Sequence, residues 1–174
     1  MIELQEIFAS FRGFMEMGGD VLWAILLTLF LLWTFIFERL WYLYRVHPQK
    51  RQAALREWES RLETRSWYAK RIRESLISEI GVSLQKNIGL IKVLIAICPL
   101  LGLLGTVTGM ITVFDVMAHS GGGNARAMAG GVSLATIPTM AGMVAALSGV
   151  YFASWLDHKA RTETERLADL MQHH

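Results

Sequence analysis

Two long runs of this chain contain no Asp, Glu, Lys, Arg or His, yet they carry hydroxyl groups at depth: Thr106, Thr108 and Thr112 in Val93–Phe114, and Ser133, Thr136 and Thr139 in Ala127–Leu156. Each run exceeds the ~20 apolar residues needed to cross a bilayer core. A hydroxyl has one donor and two acceptor lone pairs, so it can solvate an ion or a protonated carboxyl. It cannot change its own charge at ordinary pH. Proton relays and pumps usually use an ionisable group inside the membrane. These runs have none, so if protons pass here another polypeptide must bring the titrating group. The depths agree with a shared polar layer. Thr106 lies nine residues before Asp115 and Thr136 ten after Arg126, which at ~1.5 Å per residue puts both roughly 15 Å from the boundary markers. Thr139 is one turn deeper. The competing reading is that each hydroxyl bonds back to a carbonyl of its own preceding turn.

The same runs carry small residues at helical spacing. Gly131, Ala135, Thr139, Gly142, Ala146, Gly149 and Ala153 form one stripe, and Gly102, Gly105, Thr106 and Gly109 a shorter one. Such stripes let membrane helices approach closely, and helix packing is the plainer reading of their glycines and alanines. Pro99 and Pro138 leave the carbonyls of Ile95 and Leu134 without their helical donors. A freed carbonyl must face protein or water. Pro138, between Thr136 and Thr139, therefore predicts a kink toward a polar interior, with a packing kink as the alternative.

The elements that position these groups follow from hydropathy and charge. The 174 residues are 53% hydrophobic, with a mean hydropathy of +0.35, which marks an integral membrane protein. The formal charge of +2 is too small to indicate nucleic acid as a partner. Residues 1–19 read as a helix lying in the interface, because Ile7, Phe8, Phe11 and Phe14 recur at amphipathic spacing. Their acidic start is unlike a signal peptide. Gly18-Gly19 breaks this helix, and Asp20 is placed to cap the next. A first transmembrane helix spans 20–44, closed by Glu38, Arg39 and the aromatic belt Trp41, Tyr42 and Tyr44. It is bulky throughout and suits a lipid-facing position.

Residues 45–92 form a helical extramembrane domain opened by Pro48. One apolar face runs Leu55, Trp58, Leu62. A second runs Ile72, Leu76, Ile80, Leu84, Ile88. They predict two helices, or one bent near Ser66. The second face continues into Val93 with no strong breaker, which predicts one long helix entering the membrane. The second span is 93–117, the turn-rich loop 118–126, the third span 127–157 and a charged helical tail 158–174. The glycine run in His119–Asn124 lacks the Lys-Ser/Thr of a phosphate loop. Cys98 reads as a small core residue, and His173-His174 alone cannot complete a metal shell. No metal, cofactor or enzyme site is expected. Twelve basic residues lie in 39–92 and three in the tail, against Arg12 and Arg126 elsewhere. This places 45–92 and the tail in the cytoplasm and the amino end outside it. The basic segment can also meet anionic membrane lipid.

The run Pro99-Leu-Leu-Gly102-Leu-Leu-Gly105-Thr106-Val-Thr-Gly109, together with Gly131-Val-Ser-Leu-Ala-Thr-Ile-Pro-Thr139-Met-Ala-Gly142-Met-Val-Ala-Ala, resembles the ExbB/TolQ/MotA family of motor stators, and its ExbB branch in particular. Three spans with one large cytoplasmic loop fit it too. The resemblance implies an all-α inner-membrane protein, amino end periplasmic, that assembles as a homo-pentamer around a central pore. An ExbD-like single-span partner would supply the titrating Asp, with protons as the coupling ion. Thr106 and Thr139 would line the pore, and the small-residue stripes would face between subunits or toward it. In the ExbB branch the motion energises a TonB-like protein for outer-membrane uptake. Leu134 stands where many members have Glu, and Thr136 and Pro138 stand where common members have Leu and Ala. These departures, and the absence of the amino-terminal extension of longer members, point to a compact sub-branch. A TolQ-like envelope-maintenance subunit is the near alternative and a non-conducting scaffold the remoter one; four-span MotA proteins fit poorly.

Overall fold

The computed structural model describes residues 2–60, 66–120 and 125–171. Leu62, Gly121–Asn124 and His173-His174 lie outside the described residues, as do the side chains of Ile7, Phe8, Phe11, Phe14, Ser133 and Leu134. The protein is all-α. Helix α1 covers Ile2–Trp41, α2 His47–Glu59, α3 Trp67–Gln85, α4 Ile88–Ser120 and α5 Ala125–Leu170. Among the described residues, three helical stretches are long and apolar enough to cross a membrane.

Local chemistry sets the breaks. Within α1, Gly19 alone leaves the helical region (φ 62°, ψ −161°), so the helical path bends where the Gly18-Gly19 pair predicts it. Between α1 and α2 the turn Tyr42–Val46 widens to a π-turn, with the His47 N–H reaching Tyr42 O. Pro48 follows at the first turn of α2. It has no N–H for the preceding turn, and a widened turn is one way a helix absorbs that loss. Ser66 caps α3, its Oγ accepting from Ala69 N at 3.2 Å. The break near Ser66 is therefore real.

The long helix expected to enter the membrane without interruption is instead divided. Asn87 sits at φ 63° between α3 and α4. Asn is the side-chain-bearing residue that best tolerates this left-handed conformation. Its amide also donates to Glu38 Oε2 at 3.4 Å. The apolar periodicity runs straight across this point, so it hides the break. The helix that crosses the apolar stretch begins at Ile88 and runs on to Ser120, into the segment expected as loop.

The chain divides into two compact units. The first joins Met1–Leu32 with Val93–Val150. Its core is Leu22, Ile25, Cys98, Ala145 and Ala146, with Val21, Leu26, Leu29, Ile95, Leu101 and Ala141 packed against them. The second joins Trp33–Lys92 with Tyr151–His174. Here α5 buries Leu156, Ala160 and Leu167, four and seven residues apart on one helical face, and Ala54, Trp58, Ile80, Leu84 and Ile91 are buried in the same unit. Arg39 is 4% exposed. Its Nη1 donates to Ser83 O at 3.0 Å, its Nε meets Glu38 Oε2 at 3.1 Å, and its guanidinium lies over the Tyr42 ring. Arg73 donates to Ala168 O at 2.7 Å, taking up a carbonyl in the last turn of α5.

Candidate ion-pathway site

The two small-residue stripes of the first unit meet each other. A side chain at Gly102 would strike Pro138 O and Thr139 Cα, both 2.9 Å away. One at Gly105 would strike the Pro138 ring, one at Gly109 would lie 2.8 Å from Ala135 Cβ, and one at Gly131 would run into Val113. At Gly142 an added methyl would strike the Cys98 carbonyl and lie 3.3 Å from Gly102 Cα; at Gly149 it would lie 2.7 Å from Leu32. The helices α4 and α5 are thus zipped with backbone close to backbone, and each glycine stands where a Cβ has no room. Ala146 belongs to the adjoining core with Ala145. Within one chain the glycines of these stripes already meet neighbouring residues, so the α4–α5 contact uses Gly102, Gly105, Gly109 and Gly142.

The prolines take part in the same contact. The ring of Pro138 packs on Gly105, and α5 stays helical through it. The polar interior expected beside this residue is, on the ring side, an apolar contact. Pro99 likewise lies inside a continuous α4.

Thr139 Oγ1 donates to Gly102 O at 2.9 Å, across the two helices. By helical register that carbonyl also accepts from the Thr106 N–H. The other threonines behave differently. Thr106 Oγ1 bonds back to Leu103 O at 2.7 Å, Thr108 to Leu104 O and Gly105 O at 3.1 Å each, and Thr112 to Thr108 O at 3.1 Å. The contacts Gly102–Thr139 and Gly109–Ala135 bracket the level of Thr106, so Thr106 and Thr136 stand at similar depth. They also share a flank. Val21 of α1 approaches Gly105, and Leu22 and Ile25 pack beside Ala145. A step of ~100° from Gly105 to Thr106, and from Ala135 to Thr136, turns both away from α1. Thr106 is half-exposed and Thr136 exposed there, with Thr139 half-buried at the seam. Thr108 and Thr112 stand on the opposite flank. The structure so groups Thr106, Thr136 and Thr139 and separates the other two.

The chemistry of this group is specific. Where a threonine hydrogen is committed to a backbone carbonyl, the oxygen keeps only acceptor lone pairs for a third party. Thr106 and Thr139 are in this state. Such a site welcomes a donor, for example a neutral carboxylic acid, and offers nothing to a bare carboxylate.

Sequence reasoning missed the polar centre of the second unit. Glu163 is 7% exposed on the otherwise apolar face of α5. It meets Lys159 at 3.3 Å, Arg166 at 3.5 Å and Arg51 at 3.6 Å. His47 is 4% exposed, and its Nε2 is buried with no hydrogen-bond partner among the described residues. Burial holds His47 below the usual histidine range; Glu163 opposes this, while Arg51 and Lys159 add to it. The available signal was Glu163 itself, a carboxylate at a core position of the Leu156, Ala160, Leu167 pattern. Lys92 and Asp157 pair at 3.0 Å, with Arg161 joining Asp157 at 3.3 Å.

These features define a class: a three-span helical membrane protein with a tightly zipped helix pair and only hydroxyls at depth. The chain belongs to the MotA/TolQ/ExbB proton channel family, matched across residues 47–169. It is similar to an ExbB-like biopolymer transport protein of Synechocystis, 48% identical over 61 residues, 33% of this chain and 24% of that protein. It is also similar to the biopolymer transport protein ExbB of Helicobacter pylori, 37% identical over 71 residues, 41% of this chain and 49% of that protein. A second ExbB-like protein of Synechocystis is 37% identical over 67 residues, 32% of its length. The chain thus matches less than half the length of each of these relatives.

Proposed function

We propose that this chain is the multi-span stator subunit of a proton-driven membrane motor. Copies of it, five by family resemblance, surround the transmembrane helix of a single-span ExbD-like partner, whose Asp carries the proton. The observation that carries this reading is the acceptor-only hydroxyl pair Thr106 and Thr139, in spans without an ionisable side chain. Aligned with the partner's carboxyl, these oxygens stabilise its neutral, protonated form. Release of the proton then requires the carboxylate to leave the threonine level, which links protonation to movement of one component past the other. Thr136 on the same flank extends the polar surface. In the ExbB-type reading the amino end is periplasmic, the basic segment 45–92 cytoplasmic, and the motion energises a TonB-like protein for outer-membrane uptake. The ExbB relatives favour this over a TolQ-type role.

The test is co-expression with candidate single-span partners, native mass of the purified complex, and proton flux in vesicles. A defined oligomer that captures a partner and conducts only with it supports the proposal. A chain that captures none, or conducts equally with both threonines replaced by valine, overturns it.

A further inference from the structure

The stretch from Arg39 to Arg56 contains five Arg and Lys residues and no Asp or Glu. Their charges are not equivalent. Arg39 is buried on Ser83 and Glu38, and Arg51 meets Glu163. Arg45 and Lys50 are exposed, and among the described residues no carboxylate lies within ion-pair distance of either. Each instead lies against an aromatic face: Arg45 over Trp41 at 5.7 Å and Lys50 over Tyr42 at 5.6 Å. Lys50 is eight residues beyond Tyr42, so its chain runs back along the helix and carries its ammonium to the level of the aromatic belt. The same belt exposes Phe37 at 61%, Trp41 at 67% and Tyr44 at 66%, the apolar edge of a helix that meets lipid.

We propose that Trp41, Tyr42, Arg45 and Lys50 form a binding site for the headgroup of an anionic phospholipid. Phe37, Trp41 and Tyr44 lie along its acyl chains, and the two unpaired cations take its phosphate. Charge complementarity favours this occupant over a peptide: two cations without counter-ions stand at the depth where an apolar face gives way to a basic one. The aromatic faces hold both side chains extended toward that depth before any lipid arrives, which reduces the ordering cost of binding.

The test uses the full chain in mild detergent, equilibrated with equal amounts of phosphatidylglycerol and phosphatidylcholine of matched chains, with bound lipid read by native mass spectrometry. The wild type should favour phosphatidylglycerol by roughly thirtyfold, as two interfacial cations predict, and lose that preference as salt is raised. Arg45→Gln with Lys50→Gln should bring the two lipids to near parity. Arg56→Gln with Lys70→Gln makes the same change in net charge elsewhere and should leave the preference intact, as should the charge-keeping pair Arg45→Lys with Lys50→Arg. No preference in the wild type, a preference insensitive to salt, or equal loss in both glutamine pairs overturns the site. If the glutamine pair fails to fold, the single variants Arg45→Gln and Lys50→Gln should each lower the preference, and no loss in either overturns the site.

Discussion

Thr139 donates its hydroxyl hydrogen to the carbonyl of Gly102 at 2.9 Å, a bond between two helices and not back into its own turn. It does two things at once. It ties the seam between α4 and α5, and it fixes the hydroxyl so that only its lone pairs remain for a third group. Packing and chemistry at this position are therefore separable by substitution.

Thr139→Val keeps the branched shape and removes the hydroxyl. Losing one such bond costs roughly 1 kcal/mol, a small drop in thermal stability. Proton flux through the assembled complex should fall by more than tenfold. Thr139→Ser should retain both. Normal flux in the valine variant would leave this threonine with a packing role alone.

Gly105→Ala places a methyl group against the Pro138 ring. Over-packing of this kind costs about 1–3 kcal/mol. Pro138→Gly removes the Cβ and Cγ that this methyl would strike, so Gly105→Ala should cost far less in the Pro138→Gly background than in the wild type. A double-mutant cycle in melting temperature reads the coupling, and simple additivity would mean that the two residues do not meet.

His47 predicts a pH dependence. Its folded state favours the neutral ring, below the ordinary value of 6.5. A depressed histidine leaves stability intact above the unfolded value. As pH falls below it the unfolded chain takes up a proton that the buried ring resists, and stability declines toward the folded value. The Trp33–Lys92 and Tyr151–His174 unit should therefore melt more easily at pH 5.5 than at pH 7.5. His47→Gln should flatten that slope, and an unchanged slope in the variant would assign it to other groups.

Asn87 holds a left-handed conformation at φ 63°. Asn87→Gly should be close to neutral, whereas Asn87→Val should cost about 1–2 kcal/mol. The midpoint of urea unfolding distinguishes them. Equal midpoints for Gly and Val would mean that the break between α3 and α4 is not required.

The spans and the helical class were legible because charge is absent over runs of about twenty residues and more, the length at which a membrane-crossing segment satisfies its backbone groups as a helix. The Gly19 bend was legible because glycine is the residue type such geometry requires, and the change of apolar face announced a break near Ser66 but not the cap that Ser66 supplies. The break at Asn87 was not, since a left-handed residue leaves no mark on hydropathy and the apolar period continues through Leu84 and Ile88. The small stripes announced a close contact but not its partner. Register alone does not say whether Gly102 faces Thr139 of its own chain or of a neighbour. Thr106 and Thr139 looked alike in sequence, and only three-dimensional placement sends one hydroxyl back to Leu103 and the other across to Gly102. The Glu163 and His47 centre joins residues from distant segments and had only one weak sign.

The glycine seam has a hydraulic consequence. Where Gly142 meets the Cys98 carbonyl and Gly102 meets Thr139, no methyl group fits, and a water molecule needs comparable room. Helices α4 and α5 of one copy are watertight against each other along this line. On the function proposed above, a file of water or protons runs over the outside of the pair, along the flank of Thr106 and Thr136, and its opposite wall comes from another polypeptide.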